Sequence, residues 1–395
     1  MTAGYFDNAA TAPMLPAALD AYVQAAQIVG NPSSVHAAGQ RVRAVVETAR
    51  RQVAASLGAD PAEVIFTSGG TESINQAIKG IYWARAAGGQ RPIVIVADGE
   101  HHASLEAARW LAEAQGAELR LAPIDHQARL DLDWLAGEIV REGARIALIS
   151  VLWANNEVGT VQPIERVCAL AAAASIPVHV DAVSAYGQVL IDMHAAGVTA
   201  LSVSAHKIGG PGGTGALLLT RTQQAVPLLH GGGQERKVRS GTLDAPSIAA
   251  FGVAAEHAMA GLPERAAHLR ELRDRLVSGI HATVPEAVVT GHATEHLPAN
   301  AHAVFPGCEG DSLLFLLDQF GVSASTGSAC TAGVPQPSHV LEAMGFSAED
   351  ARSALRFSLG ETTTEADVDR VLEVLPEVYA RAHAAGMSAR VPRHF

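Results

Sequence analysis

The chain has 395 residues and a formal net charge of −12, and 48% of its residues are hydrophobic. This acidic balance leaves no basic stripe for phosphate neutralisation, so nucleic acid is excluded as an expected direct partner. No apolar run approaches the roughly 20 residues that span a bilayer, and the chain does not start with a basic region followed by an apolar segment. We therefore expect a cytoplasmic protein without a membrane partner.

Short apolar runs alternate with helical patterns along the first two thirds of the chain. The runs, each predicted to be a buried strand, span residues 64–66, 93–96, 146–149, 178–180, 200–203 and 216–219. Helical patterns occupy residues 71–87 and 164–174. Such alternation predicts an α/β fold with a mainly parallel sheet that is flanked by helices on both faces.

The length of the chain favours two domains. The predicted large domain spans residues 16–260, and the charged amphipathic stretch 264–284 predicts a helix that leads into a smaller domain. Residues 1–15 and 261–395 are assigned to this smaller α+β domain, which would carry Cys330 and Arg356.

Lysine is rare in this chain. Only Lys79, Lys207 and Lys237 occur, and arginine makes up the remainder of the 28 lysine and arginine residues. Lys207 follows the predicted strand 200–203 and precedes a glycine-rich loop. Because arginine cannot lose its proton in a protein, a lysine retained at this place indicates a need for a deprotonatable amine. This composition disfavours the alternative, a solvated loop lysine.

An acid stands at a second strand end. Asp181 closes the predicted strand 178–180, and ligands collect at the carboxyl ends of strands in open α/β sheets. An amine and a carboxylate on neighbouring strand ends suit pyridoxal 5'-phosphate, because the amine condenses with the aldehyde and the acid keeps the pyridine nitrogen protonated. Lys207 and Asp181 together therefore predict this cofactor.

The turn Thr67-Ser68-Gly69-Gly70-Thr71 joins a predicted strand to a predicted helix. Its small residues would let backbone amides approach a phosphate closely, and the amino terminus of the helix adds favourable potential. The alternative is that Thr71 only caps the helix. The phosphate interpretation therefore depends on the turn occurring together with Lys207 and Asp181.

Three further polar residues are candidates for binding. His101 would stack on an aromatic ring or move protons, although adjacent histidines are often surface residues. Asn156 would orient a ligand or shape a turn. Arg356 interrupts an apolar segment and is either a bidentate clamp for a substrate carboxylate or half of an internal ion pair, and the sequence favours neither.

The chain has three cysteines, which cannot make a disulfide framework and show no metal-ligand spacing, so we expect no metal. Cys168 lies in an apolar helical pattern, and both it and Cys308 are predicted to be core residues. Cys330 lies in residues 325–333, a run of small residues typical of an exposed, mobile loop. A thiol placed there is a candidate nucleophile, provided that its pKa is lowered.

Together these segments resemble those of a cysteine desulfurase of the class V aminotransferase family, a group of pyridoxal-phosphate enzymes of fold type I that includes the nitrogenase-associated and housekeeping iron–sulfur cluster enzymes. The resemblance runs nearly end to end. The lysine segment at 204–207 and the cysteine segment at 328–331 are specific, whereas the glycine turns are not. The other matching segments are residues 7–11, 30–34, 67–73, 155–159, 179–182, 231–236, 239–242 and 356–360.

The resemblance implies a seven-stranded, mainly parallel sheet and a division of labour around one cofactor. Lys207 would hold pyridoxal 5'-phosphate and later move the substrate Cα proton, Asp181 would pair with the pyridine nitrogen, and His101 would stack on the ring. The groups implied to bind the phosphate are those of Gly70, Thr71, Ser204 and His206, with Thr242 reaching across from a second subunit. A homodimer is therefore expected.

The resemblance also implies a reaction. Asn156 and Arg356 would bind the carboxylate of L-cysteine, and Cys330 would attack the substrate sulfur as a thiolate. The products would be L-alanine and a persulfide on Cys330. The sulfur would then pass to an acceptor protein such as an iron–sulfur scaffold, for cluster assembly or tRNA thiolation.

One position departs from the family pattern. Where the family usually has a glutamine that bonds the phenolic oxygen of the cofactor, this chain has Ser184. A serine is too short to reach the same point directly. Either a water or Tyr186 compensates, or the electronics of the bound cofactor shift and turnover is slow.

Two alternatives stay open. The first keeps the cofactor but assigns C–S or selenocysteine lyase chemistry, or transfer of an amino group on a small substrate, with Cys330 as a bystander. The second, motivated by Ser184, is a weakly catalytic scaffold that handles sulfur or binds a partner.

Overall fold

The computed structural model describes residues 4–86, 88–327 and 336–390. Its larger sheet has seven strands in the spatial order β1-β7-β6-β5-β4-β2-β3, and only β7 runs antiparallel to its neighbours. The strands are β1 (Val64–Thr67), β2 (Ile93–Ala97), β3 (Glu118–Ala122), β4 (Ile146–Leu152), β5 (Val178–Asp181), β6 (Ala200–Ser204) and β7 (Gly215–Leu219). The predicted α/β class and mainly parallel sheet are confirmed.

Helices cover both faces of this sheet. Their bounds are α1 (Pro16–Ala26), α2 (Ala37–Ser56), α3 (Gly70–Ala86), α4 (His102–Gln115), α5 (Leu132–Glu142), α6 (Ile164–Ala172) and α7 (Ala245–Met259). The helices predicted over 71–87 and 164–174 correspond to α3 and α6, and both are confirmed.

The strands have few polar residues because both faces of the sheet are buried. Alternate residues of β2 enter different cores: Ile93 and Ile95 belong to the core that includes residues of α2, α5, α6 and α7, whereas Val94 and Val96 belong to the core that includes residues of α3 and α4. A strand that is covered on both faces reads as a continuous apolar run rather than an alternating one. This is why the central strands could be predicted from composition.

A second, smaller sheet lies later in the chain than the seven-stranded sheet. It consists of β8 (Val288–Val289), β9 (Asn300–Val304) and β10 (Ala354–Ser358), paired antiparallel in the order β10-β9-β8. The helices after α7 are α8 (Leu262–Thr283), α9 (Gly310–Gln319), α10 (His339–Ala343), α11 (Ala348–Arg352) and α12 (Glu365–Arg390). Helices α8, α9 and α12 contribute to a core of their own around β9 and β10.

The amino-terminal segment belongs to this second core. Phe6 packs there edge to face with Phe357, at 6.2 Å between ring centroids. Tyr5 and Asp7 make isolated β-bridges with Ser323 and Ser358. The division of the chain at residue 260 stays a prediction, and the packing of Phe6 agrees with the assignment of residues 1–15 to the smaller unit.

Two cysteines lie in the cores, as the sequence predicts. Cys168 packs in the core between the sheet and α6, and Cys308 packs in the core of the smaller unit.

Among the described residues, no helix combines the length and the apolar character needed to cross a membrane.

A buried ion pair connects α2 to the edge of the large sheet. The guanidinium of Arg50 donates to both carboxylate oxygens of Glu235, at 2.8 and 2.7 Å, and to the carbonyl oxygen of Val64 at 2.8 Å. Glu235 also accepts the N–H of Phe66 at 2.7 Å. Because the two charged side chains are only 11% and 4% exposed, each depends on the other for compensation of its charge.

We expect Glu235→Ala to lower the free energy of unfolding by about 3–5 kcal/mol, because Arg50 would stay buried without an anion and Phe66 would lose its acceptor. Urea denaturation of the purified protein measures the effect. The matched control is Glu118→Ala, since the Glu118–Arg145 pair is exposed and should contribute less than about 1 kcal/mol. Equal losses in the two variants would contradict this account.

Candidate active site

A cavity of about 390 Å³ opens at the carboxyl ends of the central strands. Leu152, Asp181 and Ser204, the last residues of β4, β5 and β6, all line it. The predicted site residues that line this cavity are Gly70, Thr71, His101, Asn156, Asp181, Ser184, Ser204, His206, Lys207 and Arg356. Residues that are far apart in the sequence are thus brought to one place by the parallel topology.

Two predicted site residues are not among the residues found to line the cavity. Thr242 lies exposed in the segment before α7 and does not line the cavity. Cys330 lies outside the described residues, so its position stays a prediction. Ser325 and Gly327, which precede it in the sequence, do line the cavity.

Lys207 lies on the short 3-10 turn Ala205–Ile208, directly after β6. Its ammonium Nζ donates to the carbonyl oxygens of Ala9 and Ala10, the latter at 3.0 Å. Burial, with a smaller contribution from the positive charge of Arg356, lowers the pKa of Lys207 from 10.5 to about 8. The chain therefore presents an amine that loses its proton near neutral pH.

Asp181 is the acid of the site and is 2% exposed. Burial raises its pKa from 3.8 to about 6, while the backbone N–H of Val183 and the charge of Lys207 act in the opposite direction. The N–H of Val183 donates to Oδ1 at 2.9 Å. At pH 7 most of this carboxyl is ionised, so it would stabilise a cationic group that enters the cavity.

His101 is the N-cap residue of α4, and its Nδ1 accepts the N–H of Ala103 at 3.1 Å. This contact assigns the ring proton to Nε2. His101 is an exposed residue that lines the cavity, and desolvation of its ring, followed by the charge of Lys207, lowers its pKa from 6.5 to about 4. The imidazole is therefore neutral at pH 7, in agreement with Nδ1 as an acceptor, and it is available for stacking or for donation through Nε2.

The predicted phosphate turn forms the amino terminus of the 17-residue helix α3. Packing requires a glycine at its first position, because a Cβ on Gly70 would lie 2.7 Å from Cγ2 of Val183. The free N–H groups of a first helical turn and the helix dipole favour an anion there. Ser204 and His206 line the same cavity, and burial lowers the pKa of His206 to about 4.

Arg356 lies on β10 and is 5% exposed. Its Nη1 donates to the backbone oxygen of Asn156 at 2.9 Å, and its Nη2 donates to Asp7 at 2.8 Å. Its Nε and the side-chain Oδ1 of Asn156 are buried without a partner among the described residues. The structure therefore contains the internal ion pair and also leaves polar atoms for a ligand.

Tyr186 does not replace the missing glutamine at Ser184. Its hydroxyl lies 2.5 Å from Oγ of Ser56, and its ring packs edge to face against Phe251, with 6.5 Å between centroids. The side chain is 2% exposed and does not line the cavity at the strand ends. The Tyr186 hydroxyl is thus engaged with Ser56 rather than directed at the position of the missing glutamine, and a water or a shift in the electronics of the bound cofactor remains to account for Ser184.

Several residues of the site were not predicted from the sequence. Asp7 pairs with Arg356, and His339 lines the cavity with its ring 4.6 Å from that of His102. Glu157 is buried, and its Oε2 accepts the hydroxyl of Ser338 at 2.5 Å. Two signals were available: Asp7 and Glu157 lie in the matching segments 7–11 and 155–159, and Glu157 directly follows Asn156.

The lowered pKa of Lys207 gives a test that needs no ligand. We expect reductive methylation of Lys207 by formaldehyde and cyanoborohydride to reach half its maximal rate near pH 8, because only the neutral amine reacts. Mass spectrometry of the peptide that contains Lys207 measures the rate, and the exposed Lys237 serves as an internal reference. A midpoint at the ordinary lysine pKa would contradict this result.

A variant tests the cause of the shift. Arg356→Gln removes a positive charge that lowers the pKa of Lys207, so the midpoint of methylation should move to higher pH. The control is Arg352→Gln, which changes an exposed arginine that does not line the cavity.

Comparison with known proteins agrees with this geometry. Residues 4–371 match the family Aminotransferase class-V. An IscS-like cysteine desulfurase from Mycobacterium tuberculosis is 50% identical over 387 residues, which cover 98% of this chain and 98% of that protein.

Solved structures agree as well. A NifS-like protein matches with a TM-score of 0.88 and 34% identity, covering 96% of this chain and 99% of that chain. SspA in complex with cysteine matches with a TM-score of 0.77 and 31% identity, covering 90% of this chain and 98% of that chain. This chain belongs to the class V aminotransferase family, in its cysteine desulfurase group.

Proposed function

We propose that this chain is a cysteine desulfurase that converts L-cysteine to L-alanine and passes the sulfur, through a persulfide on Cys330, to an acceptor for iron–sulfur cluster assembly or tRNA thiolation. The observation that carries the proposal is the joint placement of Lys207, Asp181 and Arg356 on one cavity. The family to which the chain belongs, and a relative at 50% identity that is a cysteine desulfurase, support this reaction.

The residues of the cavity fit pyridoxal 5'-phosphate. Lys207 would hold the aldehyde carbon, Asp181 would pair with the ring nitrogen, and the neutral His101 would stack on the ring. The phosphate would lie at the amino terminus of α3, near Thr71. At Gly70 a side chain would clash with Val183, so the backbone there is not covered by a side chain. When bound, this cofactor supplies an electron-accepting ring next to the substrate Cα.

The chain's own groups supply binding of the substrate carboxylate and movement of its proton. The guanidinium of Arg356, with a free Nε, and the amide of Asn156 would bind the carboxylate. The related structure of SspA in complex with cysteine supports this substrate class. Lys207, with a pKa of about 8, exists in both forms near neutral pH and so would take and return the proton at Cα.

Cys330 would act on the sulfur of the substrate. Its thiolate would form an S–S bond as the Cβ–S bond of cysteine breaks, and the product carbon would take up a proton to become the methyl group of alanine. The balanced result is one alanine and one persulfide for each cysteine and thiol consumed. No outside oxidant or reductant is needed until the persulfide is discharged.

We further propose a homodimer in which Thr242 of each subunit completes the phosphate site of the other. In support, Thr242 is exposed and does not line the cavity of its own chain. The sulfur acceptor would be a second protein, such as an iron–sulfur scaffold.

The first experiment concerns Cys330. We expect Cys330→Ala to keep its bound cofactor and colour but to release no sulfide or alanine from L-cysteine in the presence of a reductant. The control is Cys168→Ala, which should keep its activity, because burial raises the pKa of that thiol to about 12 and so leaves it unreactive. Undiminished sulfide release by Cys330→Ala would refute the assigned nucleophile.

Product analysis in the same experiment separates the alternatives. A lyase or an aminotransferase that does not use Cys330 would turn over in the variant, and transamination would produce an oxo acid instead of alanine. A scaffold without catalytic activity would form no persulfide at a catalytic rate in the wild-type protein, which mass spectrometry after incubation with cysteine would show.

A second experiment concerns the carboxylate. We expect Arg356→Lys to raise the KM for L-cysteine by roughly 10- to 100-fold, because lysine keeps the charge but cannot make two parallel hydrogen bonds. The kcat should fall less than kcat/KM falls. An unchanged KM would show that Arg356 serves only the ion pair with Asp7.

A further inference from the structure

A second carboxyl group lies behind Asp181. Glu100 occupies the turn between β2 and α4, is 1% exposed and does not line the cavity. Its Oε1 accepts the backbone N–H of Leu152. Because Leu152 pairs with Asp181 in the register of β4 and β5, the two carboxyl groups lie on adjacent strand ends.

The surroundings of Glu100 do not suit a negative charge. The N–H of Leu152 donates to Glu100 and favours the ionised form, but no cation among the described residues contributes to its pKa. Oε2 of Glu100 and Oγ of Ser104 are both buried without a hydrogen-bond partner in the described part of the chain. A buried carboxylate normally needs a paired cation and several donors, so these surroundings favour the neutral acid.

The charged and titratable groups around Glu100 also favour its neutral form. The charge of Asp181 opposes ionisation of Glu100, while Lys207 lies on the cavity side of Asp181 and stabilises Asp181 instead. His339 donates Nε2–H to the backbone oxygen of Glu100 at 2.8 Å, and the neighbouring imidazole of His101 is neutral at pH 7. One negative charge, and not two, is therefore compensated in this region.

We propose that Glu100 is a positioning residue that stays protonated in the working protein, so that Asp181 alone supplies the negative charge at this end of the cavity. The acid holds the end of β4 through Leu152 and fills the space behind Asp181 without adding charge. The role of Asp181 toward the ring nitrogen rests on the proposed function, whereas the protonation of Glu100 does not.

The chemical consequence concerns alkaline pH. Burial, followed by the charge of Asp181, raises the pKa of Glu100 from 4.5 to about 8. Above that pH a second negative charge arises next to Asp181, and the proton affinity of anything bound to Asp181 increases. Loss of the proton from Glu100 thus sets an upper pH limit, above which Asp181 is no longer the single negative charge at this end of the cavity.

Infrared difference spectroscopy tests the protonation directly. In the wild-type protein minus Glu100→Gln, we expect a carbonyl band of a protonated carboxylic acid at pH 7 that disappears with a midpoint near pH 8. Subtraction of the variant removes the contributions of Asp181 and of the buried Glu157. The matched control is Glu106→Gln, an exposed glutamate on α4, the helix that follows Glu100, which pairs with Arg109, and it should show no such band.

The stability of the protein gives a second readout. Since the folded protein keeps the proton of Glu100 up to about pH 8 whereas the unfolded chain loses it near pH 4.5, this group reduces stability progressively as pH rises between the two values. Glu100→Gln carries no such proton. Its melting temperature should therefore exceed that of the wild-type protein by a gap that grows from about pH 5 to about pH 8 and is constant above.

Coupling to Asp181 is tested in an Asp181→Asn background. Removing the charge that raises the pKa of Glu100 should move the midpoint of the infrared band to lower pH. Absence of the band at pH 7, or an unmoved midpoint, would overturn the proposal. None of these measurements uses turnover of cysteine, so a failure here is distinguishable from a failure of the proposed function.

Discussion

Burial of the Lys207 amine is the constraint on which the rest of the site depends. Desolvation and the charge of Arg356 lower its pKa, while Asp181 and Asp7 prevent a larger decrease, and the outcome is a pKa of about 8. Without these acids the pKa of the buried amine would be lower still, whereas an exposed amine with the ordinary pKa of 10.5 would be almost wholly charged at pH 7. The placement between two anions and one cation leaves both forms available near neutral pH.

The amino-terminal segment connects the two cations of the cavity. Its backbone oxygens at Ala9 and Ala10 accept from Lys207, and its carboxylate at Asp7 accepts from Arg356. The segment is held in turn by pairing with β10, since Asp7 bridges to Ser358. A short stretch of the chain therefore sets the positions of two groups that come from different sheets.

The parts of the fold that composition predicted are those buried on both sides. The central strands are continuous apolar runs because helices cover each face, and the pattern is visible without knowledge of the neighbours. Strand β3 was missed because it carries Glu118 and Arg120, which form ion pairs with groups on and after α5. An edge strand satisfied by charges has no apolar signature.

The site residues likewise fall into those that the sequence predicted and those that it did not. Lys207 and Asp181 were predictable because strand ends converge in a parallel sheet and because lysine is rare here. The direction in which a side chain points was not predictable: Tyr186 enters the core toward Ser56, and Glu100 is buried beside two histidines of the cavity. Arg356 forms the ion pair with Asp7 and keeps Nε without a partner among the described residues, so the two roles that the sequence presents as alternatives are compatible.

The charges of the cavity explain how a doubly anionic group would be held. Lys207 and Arg356 are offset by Asp181 and Asp7, and desolvation together with the charge of Lys207 lowers the pKa of His101 and of His206 to about 4. No surplus cation of this chain therefore remains among the described lining residues to pair with a phosphate. The amino terminus of α3 must supply the attraction through aligned N–H dipoles, which act without a proton equilibrium. Binding of a phosphate at that helix terminus would then be separate from the proton chemistry of Lys207.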